Sequence, residues 1–81
     1  MLSIKVLGSG CANCHKVEEL AKQAVAQLAV EAQVELVTDM KEIMRYGVMQ
    51  TPGIVINDKV VSTGRVPALS QITTLITTAL A

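Results

Sequence analysis

The distribution of apolar residues predicts an α/β fold with the element order β-α-β-α-β-β-α: a four-stranded mixed sheet covered by three helices. Three observations carry that expectation. Leu2, Ile4 and Val6 alternate with Ser3 and Lys5, the period-two mark of a strand with one buried face. Val17, Leu20, Ala21, Ala24 and Leu28 then recur at helical spacing, with charged and amide residues off the stripe. Ile54-Val55-Ile56 and Val60-Val61-Ser62 flank Asn57-Asp58-Lys59, and Asn and Asp tolerate the positive φ of a tight hairpin turn.

The remaining elements follow in order. Glu18 and Lys22 on the first helix stand at the favourable i,i+4 spacing. A second strand begins near Gln33, carries Val34, Leu36 and Val37 around Glu35, and ends at Thr38. Strand, helix, strand requires a right-handed crossover and a parallel pair. Asp39 and Glu42 have the spacing of a capping box before a short second helix that stops at Gly47. Met40, Met44 and Met49 read as core filler around it, and Tyr46 as core or rim. After Gly64, Pro67 suits the first turn of a last helix whose buried stripe is Leu69, Ile72, Leu75, Ile76, Ala79 and Leu80. Thr73, Thr74, Thr77 and Thr78 weaken its intrinsic helicity, so packing must hold it.

The 81 residues suffice for one domain, residues 1–81, and not for a second core. Val, Leu, Ile, Ala and Met supply the apolar content, with one Tyr and no Trp or Phe, so the core is aliphatic and no aromatic platform exists for stacking bases. Seven basic residues balance seven acidic ones, leaving no general field for nucleic acid or an anionic membrane surface. No apolar run approaches the length of a membrane span, and the start of the chain lacks the pattern of an export signal. The expected location is cytoplasmic, where a disulfide is more often transient than structural.

Both cysteines fall in Gly8-Ser9-Gly10-Cys11-Ala12-Asn13-Cys14-His15-Lys16, between the first strand and the first helix. At or just before the first helical turn, Cys11 gains unpaired backbone N–H groups and the positive end of the helix dipole, which stabilise a thiolate. Cys14, one turn on, is within reach to close a disulfide. The same pair of thiolates also suits Cu(I), as in the soft-metal domains of order β-α-β-β-α-β. A closed zinc site needs four ligands, and Cys11, Cys14 and His15 are too few within one chain. Cys11 to His15 matches a haem-attachment spacing but lacks an aromatic pocket. His15 reads as a partly exposed surface residue.

With Cys11-Ala12-Asn13-Cys14 at the first strand-to-helix junction, Thr51-Pro52 just before the third strand and Gly64 after the hairpin, the chain resembles the thioredoxin superfamily along essentially its whole length. In particular it is similar to the small, glutaredoxin-sized thioredoxin-like redox proteins without an extra N-terminal strand and helix. It departs from thioredoxins in having Gly10 before the first cysteine and Ala12-Asn13 between the two, and from glutaredoxins in having a single Gly64. It also shows no clear counterpart of the thioredoxins' buried acid.

The resemblance implies a thioredoxin-like fold and a thiol–disulfide oxidoreductase. It implies that Cys11 attacks a disulfide of a protein substrate and Cys14 resolves the mixed disulfide, with Lys16 or His15 lowering the thiolate's pKa modestly. It further implies that Thr51 and Pro52 shape the substrate groove, Pro52 after a cis peptide bond and facing the dithiol. A thiol reductant or a reductase would return the electrons, with no bound cofactor and no metal. The alternative use of the same two cysteines is a copper-binding or copper-carrier domain.

Overall fold

A computed structural model describes residues 2–8 and 12–80. The elements are β1 (Leu2–Leu7), α1 (Ala12–Leu28), β2 (Ala32–Val37), α2 (Met40–Arg45), β3 (Gly53–Ile56), β4 (Lys59–Thr63) and α3 (Leu69–Leu80). The sheet order is β2-β1-β3-β4. β1 pairs with β2 in parallel, and the other two pairings are antiparallel. The α/β architecture expected from the apolar pattern, which the resemblance implies to be thioredoxin-like, is therefore the one observed. β1 is central because its own alternation supplies both faces. Leu2, Ile4 and Val6 are buried in one cluster, while Leu7 belongs to a second.

The first cluster joins those three strand residues and Ile54 and Ile56 of β3 to Val17, Ala21 and Ala24 of α1 and to Ile72 and Ile76 of α3. Two alanines on the buried stripe of α1 leave room for the branched side chains opposite. The second cluster is small: Leu7, Ile43, Val48 and Val55, with Val37, Tyr46 and Val60 at its margin. α2 covers this face with little more than one turn and buries only Ile43.

The hairpin turn is tighter than the sequence suggests. Asn57 and Asp58 take φ of 51° and 66°, and Lys59 already pairs with Ile56 as the first residue of β4. A two-residue turn of this hand matches the twist of the strands it joins. Asn57 also donates its N–H to the carbonyl of Ser3 (2.8 Å), and its Oδ1 accepts from the Ser3 N–H (3.1 Å). The turn is thereby tied to the start of β1. β4 is not regular: Ile54 pairs with Ser62 and Val55 with Val60, so Val61 is an extra residue.

Four expectations are corrected. Met40, Met44 and Met49 are 56%, 70% and 96% exposed and do not fill the core. A helix of six residues has one inward position, which Ile43 takes, and the thioethers on either side stay in solvent. The stripe of α3 is buried only through Ile76, and Ala79 and Leu80 are exposed because no partner among the described residues lies over the last turn. Pro67 is buried but precedes α3 rather than opening it. Ala68 is the cap instead: its carbonyl accepts from Gln71 and Ile72, and its N–H donates to the Gln71 Oε1 at 2.9 Å. Finally, only half of the expected capping box at α2 forms. Asp39 accepts from the Lys41 N–H at 2.9 Å, but Glu42 turns to Arg45, 3.2 Å away, whose guanidinium outcompetes a backbone donor for the carboxylate.

The α3 threonines spend their hydroxyls on the helix itself. Thr73 and Thr74 both donate to the Ser70 carbonyl, Thr77 to that of Thr73 and Thr78 to that of Thr74. Such back-bonding does not strengthen a helix. The helix is held by Ile72 and Ile76 in the first cluster.

Candidate dithiol site

The site is assembled where β1 ends. Cys14 lies in the first turn of α1, on the same buried stripe as Val17, Ala21 and Ala24, and is fully buried. Its sulfur is disulfide-bonded. Cys11, the other cysteine of the sequence, lies outside the described residues. The first turn of a helix presents N–H groups without intrahelical partners and the positive end of the dipole, so negative charge on sulfur is favoured there.

Gly8 explains how the sulfur of Cys14 is accommodated. This residue is buried, and its N–H donates to the Val37 carbonyl at 2.9 Å, prolonging the β1–β2 ladder by one step. A Cβ at Gly8 would occupy the place of the Cys14 Sγ and crowd its Cβ. The glycine is needed for space, not for an unusual backbone conformation. The sequence marks it only as a glycine at a strand end, which reads as a loosened turn. Its second role, as the floor under the sulfur, depends on the approach of α1.

Across β1, Leu7 pairs with Gly53 in the antiparallel ladder, and the same register extended by one residue sets Pro52 opposite Gly8. The Thr51–Pro52 peptide bond is cis. Pro52 is buried and its carbonyl accepts from the Gly64 N–H at 2.9 Å, while Thr51 is exposed. Gly64 has φ of +76°, the left-handed region that glycine enters without penalty. A Cβ there would also strike the Gln50 side chain. The structure thus brings Cys14, Gly8, Pro52 and Gly64 to one end of the sheet, with Thr51 on the surface beside them.

His15 and Lys16 face away from Cys14's buried stripe. Both are exposed, and the His15 Nδ1 lies 3.7 Å from a Glu18 carboxylate oxygen. The other oxygen of Glu18 is 3.8 Å from the Lys22 Nζ, the expected i,i+4 pair. Tyr46 is a rim residue. Its hydroxyl accepts from the Lys5 Nζ at 3.1 Å and donates to the Asp58 Oδ1 at 3.4 Å. The hydrogen bond from Lys5 to Tyr46, followed by the charge interaction with it, raises the lysine's pKa above its ordinary value.

A family model for the thioredoxin domain matches residues 2–77. The chain belongs to the thioredoxin superfamily. It is 36% identical to a thioredoxin of Methanocaldococcus jannaschii over 72 residues, covering 89% of this chain and 83% of that one. It is 33% identical to a thioredoxin of Methanothermobacter thermautotrophicus over 72 residues, covering 89% and 94% respectively. Among solved structures, the germline-specific thioredoxin Deadhead of Drosophila melanogaster superposes with a TM-score of 0.69 at 16% identity, covering 95% of this chain and 79% of that one. That likeness concerns the fold.

Membership carries a thioredoxin-like redox function, an oxidoreductase activity in general. The copper-carrier alternative goes with the order β-α-β-β-α-β. Here α2 stands between β2 and β3, and α3 packs after the hairpin.

Proposed function

We propose that this protein is a thiol–disulfide oxidoreductase that exchanges a Cys11/Cys14 dithiol with disulfides of protein substrates. One observation carries the reading: a buried, disulfide-bonded Cys14 in the first turn of α1, seated on Gly8, with Pro52 opposite in the neighbouring strand register. In the reducing direction the Cys11 thiolate attacks one sulfur of the substrate disulfide. A mixed disulfide forms and the other substrate sulfur leaves as a thiolate. Cys14, as thiolate, attacks the Cys11 sulfur, closes the intramolecular disulfide and expels the second substrate thiolate. Two electrons pass from the dithiol to the substrate, and a thiol reductant or a reductase returns them.

Thr51, exposed beside Pro52, offers its backbone to an extended substrate segment. The compartment that suits this cycle is the cytoplasm, where thiol pools keep the dithiol reduced. The helix start favours the thiolate without a cofactor.

Trapping tests the assignment. Cys14→Ser keeps the nucleophile and removes the resolving group, so disulfide-bearing substrate accumulates on Cys11 as a mixed disulfide, read by mass spectrometry. Cys11→Ser run beside it traps almost nothing. The wild-type pair titrates with a reduction potential between about −270 and −120 mV. Complexes on Cys14 alone reverse the roles. A potential below about −300 mV marks a structural bond and ends the catalytic reading. Tight stoichiometric copper without disulfide reduction moves the assignment to the copper carrier.

A further inference from the structure

The irregularity in β4 has a counterpart across the gap to α3. Directly paired residues on neighbouring strands share a face. The extra residue Val61 therefore sets Ser62 on the same face as Ile54, the side covered by α3, where an unbroken alternation from Val60 would put it on the other. Bulges re-aim side chains in this way. The consequence is a buried Ser62 hydroxyl with no hydrogen-bond partner. Ser62 and Val61 line a cavity of about 340 Å³ between β4 and α3.

The lining of that cavity is an inventory of unspent donors. Arg65 is its one charged group, and none of the three ion pairs among the described residues involves it. Gln71 has committed its Oε1 to the Ala68 N–H, which leaves its NH2 group. The Ser62 hydroxyl is sealed beneath this lining and is not open to a ligand in the cavity. Thr74 has spent its hydroxyl proton on the Ser70 carbonyl. No carboxylate among the described residues lines the cavity, and Val61, Pro67 and Leu75 form an apolar wall.

We propose that this cavity binds a small organic carboxylate, its charge held by Arg65 with Gln71, and its apolar body against Val61, Pro67 and Leu75. A guanidinium matches a carboxylate with two parallel N–H donors. A single cation beside an apolar wall suits a monoanion with a hydrocarbon body. A naked phosphate, which collects several cations, finds one here. Ligand pockets of this kind are mostly apolar, with a few polar groups that fix orientation, and this one is at the small end of the range. Among the described residues, neither Cys14 nor Thr51 nor Pro52 lines it, so the inference stands apart from the proposed redox reaction.

The test is a nitrogen-15 NMR titration of the full chain with valerate, its neutral amide valeramide, and inorganic phosphate. Valerate gives saturable shifts confined to the amides of residues 61–65 and 69–75. Valeramide and phosphate each bind at least tenfold more weakly. Arg65→Gln, a change at an exposed residue, weakens valerate at least tenfold while leaving the rest of the spectrum in place. Absence of saturable valerate shifts at these amides overturns the proposal. So does valeramide or phosphate binding as well as valerate, or an Arg65→Gln protein that binds it unchanged.

Discussion

The two faces of the sheet differ in how they are covered, and the difference separates what holds this fold from what positions its chemistry. Under α1 and α3 the face is continuous and aliphatic: Leu2, Ile4, Val6, Ile54 and Ile56 meet Val17, Ala21, Ala24, Ile72 and Ile76. Under α2 four buried residues form a patch at one end, and the face then turns polar through the Lys5, Tyr46 and Asp58 hydrogen bonds. Burial of aliphatic area is the main favourable term in folding, so the first face dominates stability. The second face carries Val48 and the segment leading to Thr51 and Pro52. Cys14 lies where the two meet, because β1 ends in Leu7 on one face and Gly8 follows it beneath α1.

Truncation of one isoleucine on each face is the hardest test of that contrast. Ile76→Ala, in the continuous face, is expected to destabilise by about 2–5 kcal/mol, toward the upper part of the range. Ile43→Ala stands toward the lower part, since the small patch at α2 collapses more easily around a cavity. Urea denaturation midpoints of the two proteins decide it. Equal losses would erase the distinction between the faces.

A smaller effect is expected where the faces meet. Gly8→Ala places a methyl group in the space of the Cys14 sulfur, and overpacking of this kind costs about 1–3 kcal/mol. The strain falls on the start of α1, so the reduction potential of the disulfide moves along with the unfolding midpoint. A potential equal to that of the unaltered protein would mean that Gly8 does not seat the sulfur.

The smallest effect belongs to the polar part of the second face. Because Lys5 has a raised pKa in the folded protein, its contribution is fully present below the unfolded lysine value of about 10.4 and is lost as pH rises through the folded value. Lys5→Met is therefore expected to lower stability slightly at pH 8, where the contribution is fully present, and to flatten the decline above about pH 10.4. Denaturation midpoints at several alkaline pH values, compared between the two proteins, measure the difference. Parallel declines would remove Lys5 from the account.

The sequence by itself determined which stretches become strands and helices, because each signal is local. Period-two alternation in β1, the helical stripe of α1 and the Asn57-Asp58 turn need no partner to be read. The two-cysteine spacing and Thr51-Pro52 were legible for the same reason, and with them the superfamily.

Tertiary structure alone decided the rest. Ile43 and Met44 are equally apolar on paper, yet a helix of one and a half turns has one inward position to fill, and the methionines stay outside. Ala79 and Leu80 continue the stripe of Ile72 and Ile76, but nothing among the described residues lies over the last turn to bury them. Glu42 has the spacing of a cap and pairs with Arg45, because the nearer guanidinium wins the carboxylate. Gly8 is one more turn glycine until α1 brings a sulfur against it. Ser62 reads as the third residue of a plain strand until the Ile54–Val55 step in the partner strand sets its face. Hydrophobicity and spacing state what a residue can do. What it meets is fixed by chain that is distant in sequence, and every one of these outcomes is a meeting.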